Sequence, residues 1–167
     1  MMLREEEVYK ELSNIRSTYS EFDYNFYIER FRYLSNDCND DKEVARLCYL
    51  FDKREAFELM LLAIIGNKET EKYFKLFIEE NEFNEKNEDL IFDCIMGLIA
   101  LNVDEGFELV GLLLKDKRHY FDVYDILKFI DNPRANKMKQ DMLDGEYGEK
   151  AKKYAKYYTN SINKEIK

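Results

Sequence analysis

Apolar residues recur at three- and four-residue spacing along almost the whole chain, the period of an amphipathic helix. Leu3, Val8, Leu12 and Ile15 predict a first helix. Ser20 with Asp23 reads as a capping-box variant opening a second, in which Tyr24, Tyr27, Ile28, Phe31 and Leu34 form one stripe. Phe22, Phe26 and Tyr33 make another stripe beside it, so this helix is expected to be covered on two sides. A polar linker at 36–41 precedes a third helix carrying Val44, Leu47, Cys48 and Phe51. Residues 54–65 give a fourth, apolar nearly all round at its end and therefore expected to be central; Gly66-Asn67 stops it. A fifth spans 71–80, with Tyr73, Phe74, Phe77 and Ile78 facing inward.

After a second polar connection at 81–87, Asn87 is placed to cap a sixth helix built on Leu90, Ile91, Cys94, Ile95, Leu98 and Ile99. A break at 102–104 separates it from a seventh at 107–114, and Val123, Ile126, Leu127 and Ile130 mark an eighth. Asn132-Pro133 is a start signal for a ninth that runs to about Leu143, because proline at the first helical position gives up an N–H that has no partner anyway. The tail from Tyr147 also reads as helical. One proline and six glycines leave few breakers, which favours helices over a sandwich or barrel. The fold class is all-α.

A shift of 50 residues aligns Glu55-Ala-Phe-Glu-Leu59 with Glu105-Gly-Phe-Glu-Leu109 and Leu62 with Leu112. The third helix then falls on the sixth, the fourth on the seventh and the fifth on the eighth, with Phe57 equivalent to Phe107. Both rings are expected inside their own unit. Five of the 38 aligned positions from Val44 to Asn81 are identical, so agreement of helix boundaries carries more of the argument than identity does. The expected architecture is a short α-solenoid of two three-helix units in one domain. Residues 1–40 form an N-terminal cap, 41–131 the repeat body, and 132–167 a C-terminal cap with a Lys/Tyr-rich tail. The alternative is an irregular helical bundle.

Charge narrows the function. The chain carries a formal −9, distributed as −12 over residues 1–145 and +3 over residues 146–167. A nucleic-acid binder ordinarily has the opposite sign, since it must displace counterions from phosphates, so a basic partner is expected for the body. The 13 tyrosines and 12 phenylalanines supply contact area without a tryptophan. No apolar run approaches the roughly 20 residues needed to span a bilayer, the N-terminus lacks an apolar signal region, and Cys38, Cys48 and Cys94 form no pairwise motif. A cytoplasmic, reducing setting is the expectation.

Chemistry-bearing motifs are missing from the sequence. It holds no glycine-rich phosphate loop, no nucleophile elbow and no His-Glu-x-x-His. The single histidine, His119, follows Lys117-Arg118 and reads as a solvated loop residue, and neither zinc spacing nor a calcium loop occurs. No catalytic residue, metal or cofactor is therefore assigned. The surface signals are stronger. Residues 79–89 hold Glu79, Glu80, Glu82, Glu85, Glu88 and Asp89 against one lysine, at the junction of the proposed units. Tyr120, Asp122, Tyr124 and Asp125 mix aromatic area with acid, a combination suited to a Lys or Arg partner. These ten residues are the candidate partner-binding set. The Lys/Tyr tail is expected to cap the acidic body of its own chain.

With acidic charge, three-helix units and the Glu-x-Phe-Glu-Leu recurrence established, the chain resembles HEAT/armadillo-like helical repeat proteins over residues 41–131. Ala100-Leu-Asn-Val-Asp-Glu-Gly-Phe-Glu-Leu-Val110 has the helix, short Asn/Asp turn, helix layout of such repeats. Among small bacterial proteins of this kind it is similar to the helical immunity proteins encoded beside toxins. That resemblance implies a non-enzymatic inhibitor that occludes a toxin domain, often a basic nuclease, with no catalytic residues to transfer. The other readings are a phage-type acidic inhibitor imitating nucleic acid, an adaptor or scaffold, and an enzyme with a carboxylate site in the solenoid groove.

Overall fold

The computed structural model describes residues 4–17, 24–51, 53–115 and 119–165, and among these it contains ten α-helices and no strand. They are α1 (Glu5–Ser17), α2 (Tyr24–Cys38), α3 (Asp41–Phe51), α4 (Phe57–Ile64), α5 (Glu71–Glu80), α6 (Glu88–Ala100), α7 (Asp104–Lys115), α8 (His119–Leu127), α9 (Pro133–Asp144) and α10 (Glu149–Glu165). A single 3-10 turn, Lys68–Thr70, leads into α5. The all-α class and the order of helices follow the apolar periodicity. The Ser20–Asp23 cap and Phe22 lie outside the described residues.

Helix ends are set by local chemistry. After α4, Gly66 takes the left-handed conformation (φ 101°). The N–H of Asn67 then donates to the Leu62 carbonyl at 2.9 Å and that of Gly66 to the Ala63 carbonyl at 3.0 Å. This is a Schellman closure of otherwise orphaned carbonyls. Asn102 (φ 60°) closes α6 in the same way, with Val103 N–H donating to Leu98 and Asn102 N–H to Ile99. At the start of α9 the Asn132 side chain accepts from the Ala135 N–H at 2.8 Å, with Pro133 in the first turn. The Asn132 amide also donates to the Ile99 carbonyl at 3.0 Å, tying α9 to the end of α6.

The core is organised around α6, in which ten consecutive residues, Leu90 to Ile99, are buried. It packs against α4, α5, α7 and α8. Such encirclement explains why this helix shows little amphipathic contrast: an apolar run on every face belongs to a helix with neighbours on every face. Helix α4, expected to be central, is also deeply buried from Glu58 to Ala63. Two glycines allow α6 its close neighbours. A Cβ on Gly97 would stand 2.2 Å from the Phe74 ring of α5, and one on Gly106 of α7 would stand 2.7 Å from Leu98 Cβ and 2.9 Å from the Ile99 nitrogen.

Helix boundaries match across the 50-residue shift, pairing α3 with α6, α4 with α7 and α5 with α8 to within a few residues. Burial at equivalent positions does not match throughout. Leu62 is fully buried whereas Leu112 is 42% exposed, and Glu58 is buried whereas Glu108 is exposed. Phe57 and Phe107 are both half-buried: the Phe57 ring meets Tyr24 and Tyr27, and the Arg134 guanidinium lies 3.9 Å over Phe107. The second stripe of α2 is a correction, because Phe26 is 43% and Tyr33 67% exposed. The buried residues of α2 are Tyr27, Ile28, Phe31, Leu34 and Cys38, and the helix packs against α1, α3 and α4.

The tail helix α10 packs on α8 and α9. The Tyr154 hydroxyl donates to the Asp125 carboxylate at 3.1 Å, the Tyr124 and Thr159 hydroxyls are 2.9 Å apart, and Lys128 lies 4.2 Å over the Tyr158 ring.

The two glycines of α7 should respond oppositely to alanine. Gly106→Ala forces a methyl against backbone and should destabilise the chain by about 1–3 kcal/mol, the usual effect of overpacking. Gly111→Ala meets no atom within 4 Å and should stabilise by up to about 1 kcal/mol through helix propensity. Denaturant unfolding of both variants checks the pair.

Candidate functional site

A cleft of about 510 Å³ lies where α1, α4, α6 and α8 converge beside the start of α2. Helix α6 supplies its floor. Asp89, Phe92 and Asp93 stand at i, i+3 and i+4, which places all three on one helical face. Arg16 enters from α1, Glu55 and Phe57 from the start of α4, Tyr24 from α2 and Asp122 from α8. An adjoining hollow of about 340 Å³ shares Tyr24 and Asp122 and continues past Asp125, Phe121 and Tyr154, so the two make one groove.

Its charge is lopsided. Arg16 is held by Glu58 through a two-pronged contact, with Nε donating at 2.6 Å and a terminal nitrogen at 2.9 Å, and Glu55 lies 3.7 Å away. The planar guanidinium fork suits this pairing, and it keeps the buried Glu58 compensated. Asp93 has no such partner. It is 8% exposed, and no hydrogen-bond donor among the described residues reaches it. Burial holds its carboxyl well above the ordinary carboxylate range, and the negative charges of Glu55, Glu58 and Asp89 push in the same direction against Arg16. Burial also raises Asp122, as do Asp125 and Asp89, while His119 pulls it down.

His119 itself corrects the sequence reading. It is the first residue of α8, 4% exposed, with its ring stacked on Phe92 at 5.5 Å and 18°. Nε2 lies 3.7 Å from the Glu88 carboxylate and Nδ1 3.9 Å from that of Asp122, and neither ring nitrogen has a hydrogen-bond partner. The basic context Lys117-Arg118 suggests a solvated loop, yet His119 stands one helical step before Val123 and two before Leu127 in the same apolar stripe. That periodicity was the available signal.

The candidate partner residues divide into three groups. Glu79, Glu80, Glu82 and Glu85 are exposed at the end of α5 and in the connection that follows. Glu88, Asp89, Asp122 and Asp125 lie at the groove or beside its histidine. Tyr120 is half-buried against Phe121 and Tyr154, and Tyr124 is buried with its hydroxyl on Thr159, so Tyr124 holds the chain's own tail helix. Periodicity missed Asp93, Glu58 and Arg16. The signal for Asp93 was a lone acid inside the otherwise apolar Leu90–Ile99 run. Among the described residues no three His, Cys, Asp or Glu side chains converge closely enough to hold a metal ion. Cys38, Cys48 and Cys94 are free and buried, and burial raises the thiols of Cys48 and Cys94.

The raised Asp93 carboxyl has a signed consequence for stability. At neutral pH the unfolded chain ionises it freely while the fold resists, so Asp93 opposes folding there; below the ordinary carboxylate range both states are protonated and the opposition vanishes. Asp93→Asn should therefore raise the melting temperature at pH 7, by roughly 2–4 °C for each kcal/mol relieved. The gain should shrink as pH falls towards about 4. Thermal melts of both proteins across that range check it.

Comparison of the chain with protein-family models, with curated proteins and with solved structures gives no match, so what the cleft does rests on its own geometry.

Proposed function

We propose that this chain is a non-catalytic binding protein whose acidic groove and adjoining acidic turn receive a basic protein surface, as an immunity protein occludes a basic toxin or nuclease domain. One observation carries the reading. Acids from separate stretches of sequence, Glu55, Asp89, Asp93 and Asp122, gather around aromatic walls, and among the described residues Arg16, paired with Glu58, is the one guanidinium in that lining. Such a field repels phosphates and attracts Lys and Arg side chains. Asp89 links the groove to the exposed acids of the preceding turn, which extends the field outward.

Charge complementarity of this kind acts chiefly on the rate of encounter and on the choice of partner. The partner is to be recovered by co-purification from the native host, and its association followed across salt concentrations. Reversal of Glu82, Glu85 and Asp89 to Lys should slow association by about tenfold or more, flatten its salt dependence, and leave the melting temperature within a few degrees. Affinity that is flat with salt, together with wild-type binding by the triple reversal, would contradict the reading.

A further inference from the structure

We propose that the cleft between α1, α4, α6 and α8 is also a binding site for a small linear polyamine, with Asp93 receiving one ammonium group at the floor and Glu55, Asp89 and Asp122 receiving others at the rim. The inference goes beyond the protein-binding reading and does not rest on it.

Asp93 is the first ground. Asp93 is more than nine-tenths buried, and no hydrogen bond joins its carboxyl to another described residue. It lines a cavity whose volume, about 510 Å³, falls within the range of small-molecule sites. A ligand that carries N–H donors into the cleft would complete it. Quaternary ammonium has no such donor and leaves the carboxylate unsatisfied.

The distribution of charge is the second. Among the described residues, Glu55, Asp89, Asp93 and Asp122 line the cleft with one guanidinium, Arg16, which is already engaged by Glu58 and Glu55. A single ammonium leaves most of this negative charge uncompensated. The acids are dispersed along the cleft and do not converge as a metal cage would. Dispersed anions are matched by dispersed cations, which is the chemistry of amines strung along a flexible methylene chain. Tyr24, Phe57 and Phe92 supply apolar walls for the methylenes and ring faces for the cations.

Entry of an ammonium favours the ionised form of Asp93, so binding should release a proton. Burial and the charges of Glu55, Glu58 and Asp89 raise that carboxyl and Arg16 opposes them, with Asp122 and its neighbour His119 facing from α8. The measurement is isothermal titration calorimetry of the full chain with spermine, in two buffers of different ionisation enthalpy at pH 7, with butylamine as the single-charge control. Spermine should bind one per chain with proton release, and butylamine should not saturate. Asp93→Asn should weaken spermine binding by about tenfold or more and abolish the proton release, while melting no lower than wild type. Asp122→Asn should also weaken it. Glu108→Lys, a reversal on the exposed face of α7, should change it less than about twofold at physiological salt. Non-saturating heats, unchanged affinity in Asp93→Asn, or an equal loss in Glu108→Lys would overturn the proposal. Saturable binding of a trilysine peptide where spermine fails would overturn it too, and would assign the cleft to the protein partner.

Discussion

Burial of α6 on every side is the constraint on which the rest of the structure depends. A helix can be surrounded only if its neighbours approach closely, and Gly97 and Gly106 open the room for Phe74 and for the backbone crossing of α7. The same encirclement makes any polar residue on α6 expensive, because its charge has little water to face. Asp93 is tolerated there because it lines the cleft between the surrounding helices. The core and the site therefore share one helix, and a change that loosens α6 should disturb both.

Around that cleft the electrostatics are arranged in two tiers. Arg16 and Glu58 form a compensated pair, so a deeply buried glutamate is tolerated next to the core. Asp93, one turn of α6 from Asp89, has no such paired guanidinium, and burial with the nearby acids raises its carboxyl. Beyond the cleft the tail helix claims Asp125 and Tyr124, so the chain covers part of its own acidic surface with its own Lys/Tyr segment. The Asp89–Asp122 rim and the turn before α6 stay exposed.

Periodicity of three and four was enough to place all ten helices in order. Turn chemistry placed several ends: Gly66-Asn67, Asn102 and Asn132-Pro133 each close or open a helix by the bonds their residue types imply. The cleft was not legible in the same way. Arg16 and Glu58 are 42 residues apart, and the pattern of one helix does not reveal what stands opposite it. Asp89, Asp122 and Asp125 were visible as surface acids, but their convergence depends on how α8 crosses α6. The second aromatic stripe of α2 shows the converse error. An apolar stripe signals a buried face only if another element arrives to cover it, and Phe26 and Tyr33 stay 43% and 67% exposed.

Asp93 lines the cleft more than nine-tenths buried and without a hydrogen bond to another described residue. Carbon-13 NMR of the Asp93 side-chain carboxyl, followed through a pH titration of the ligand-free protein, reports that group alone. The midpoint should lie well above the ordinary aspartate value of about 3.9, raised by burial and by the neighbouring acids. A midpoint at or below that value would show Asp93 to be solvated or paired, and would overturn the assignment of Asp93 to the interior of the cleft.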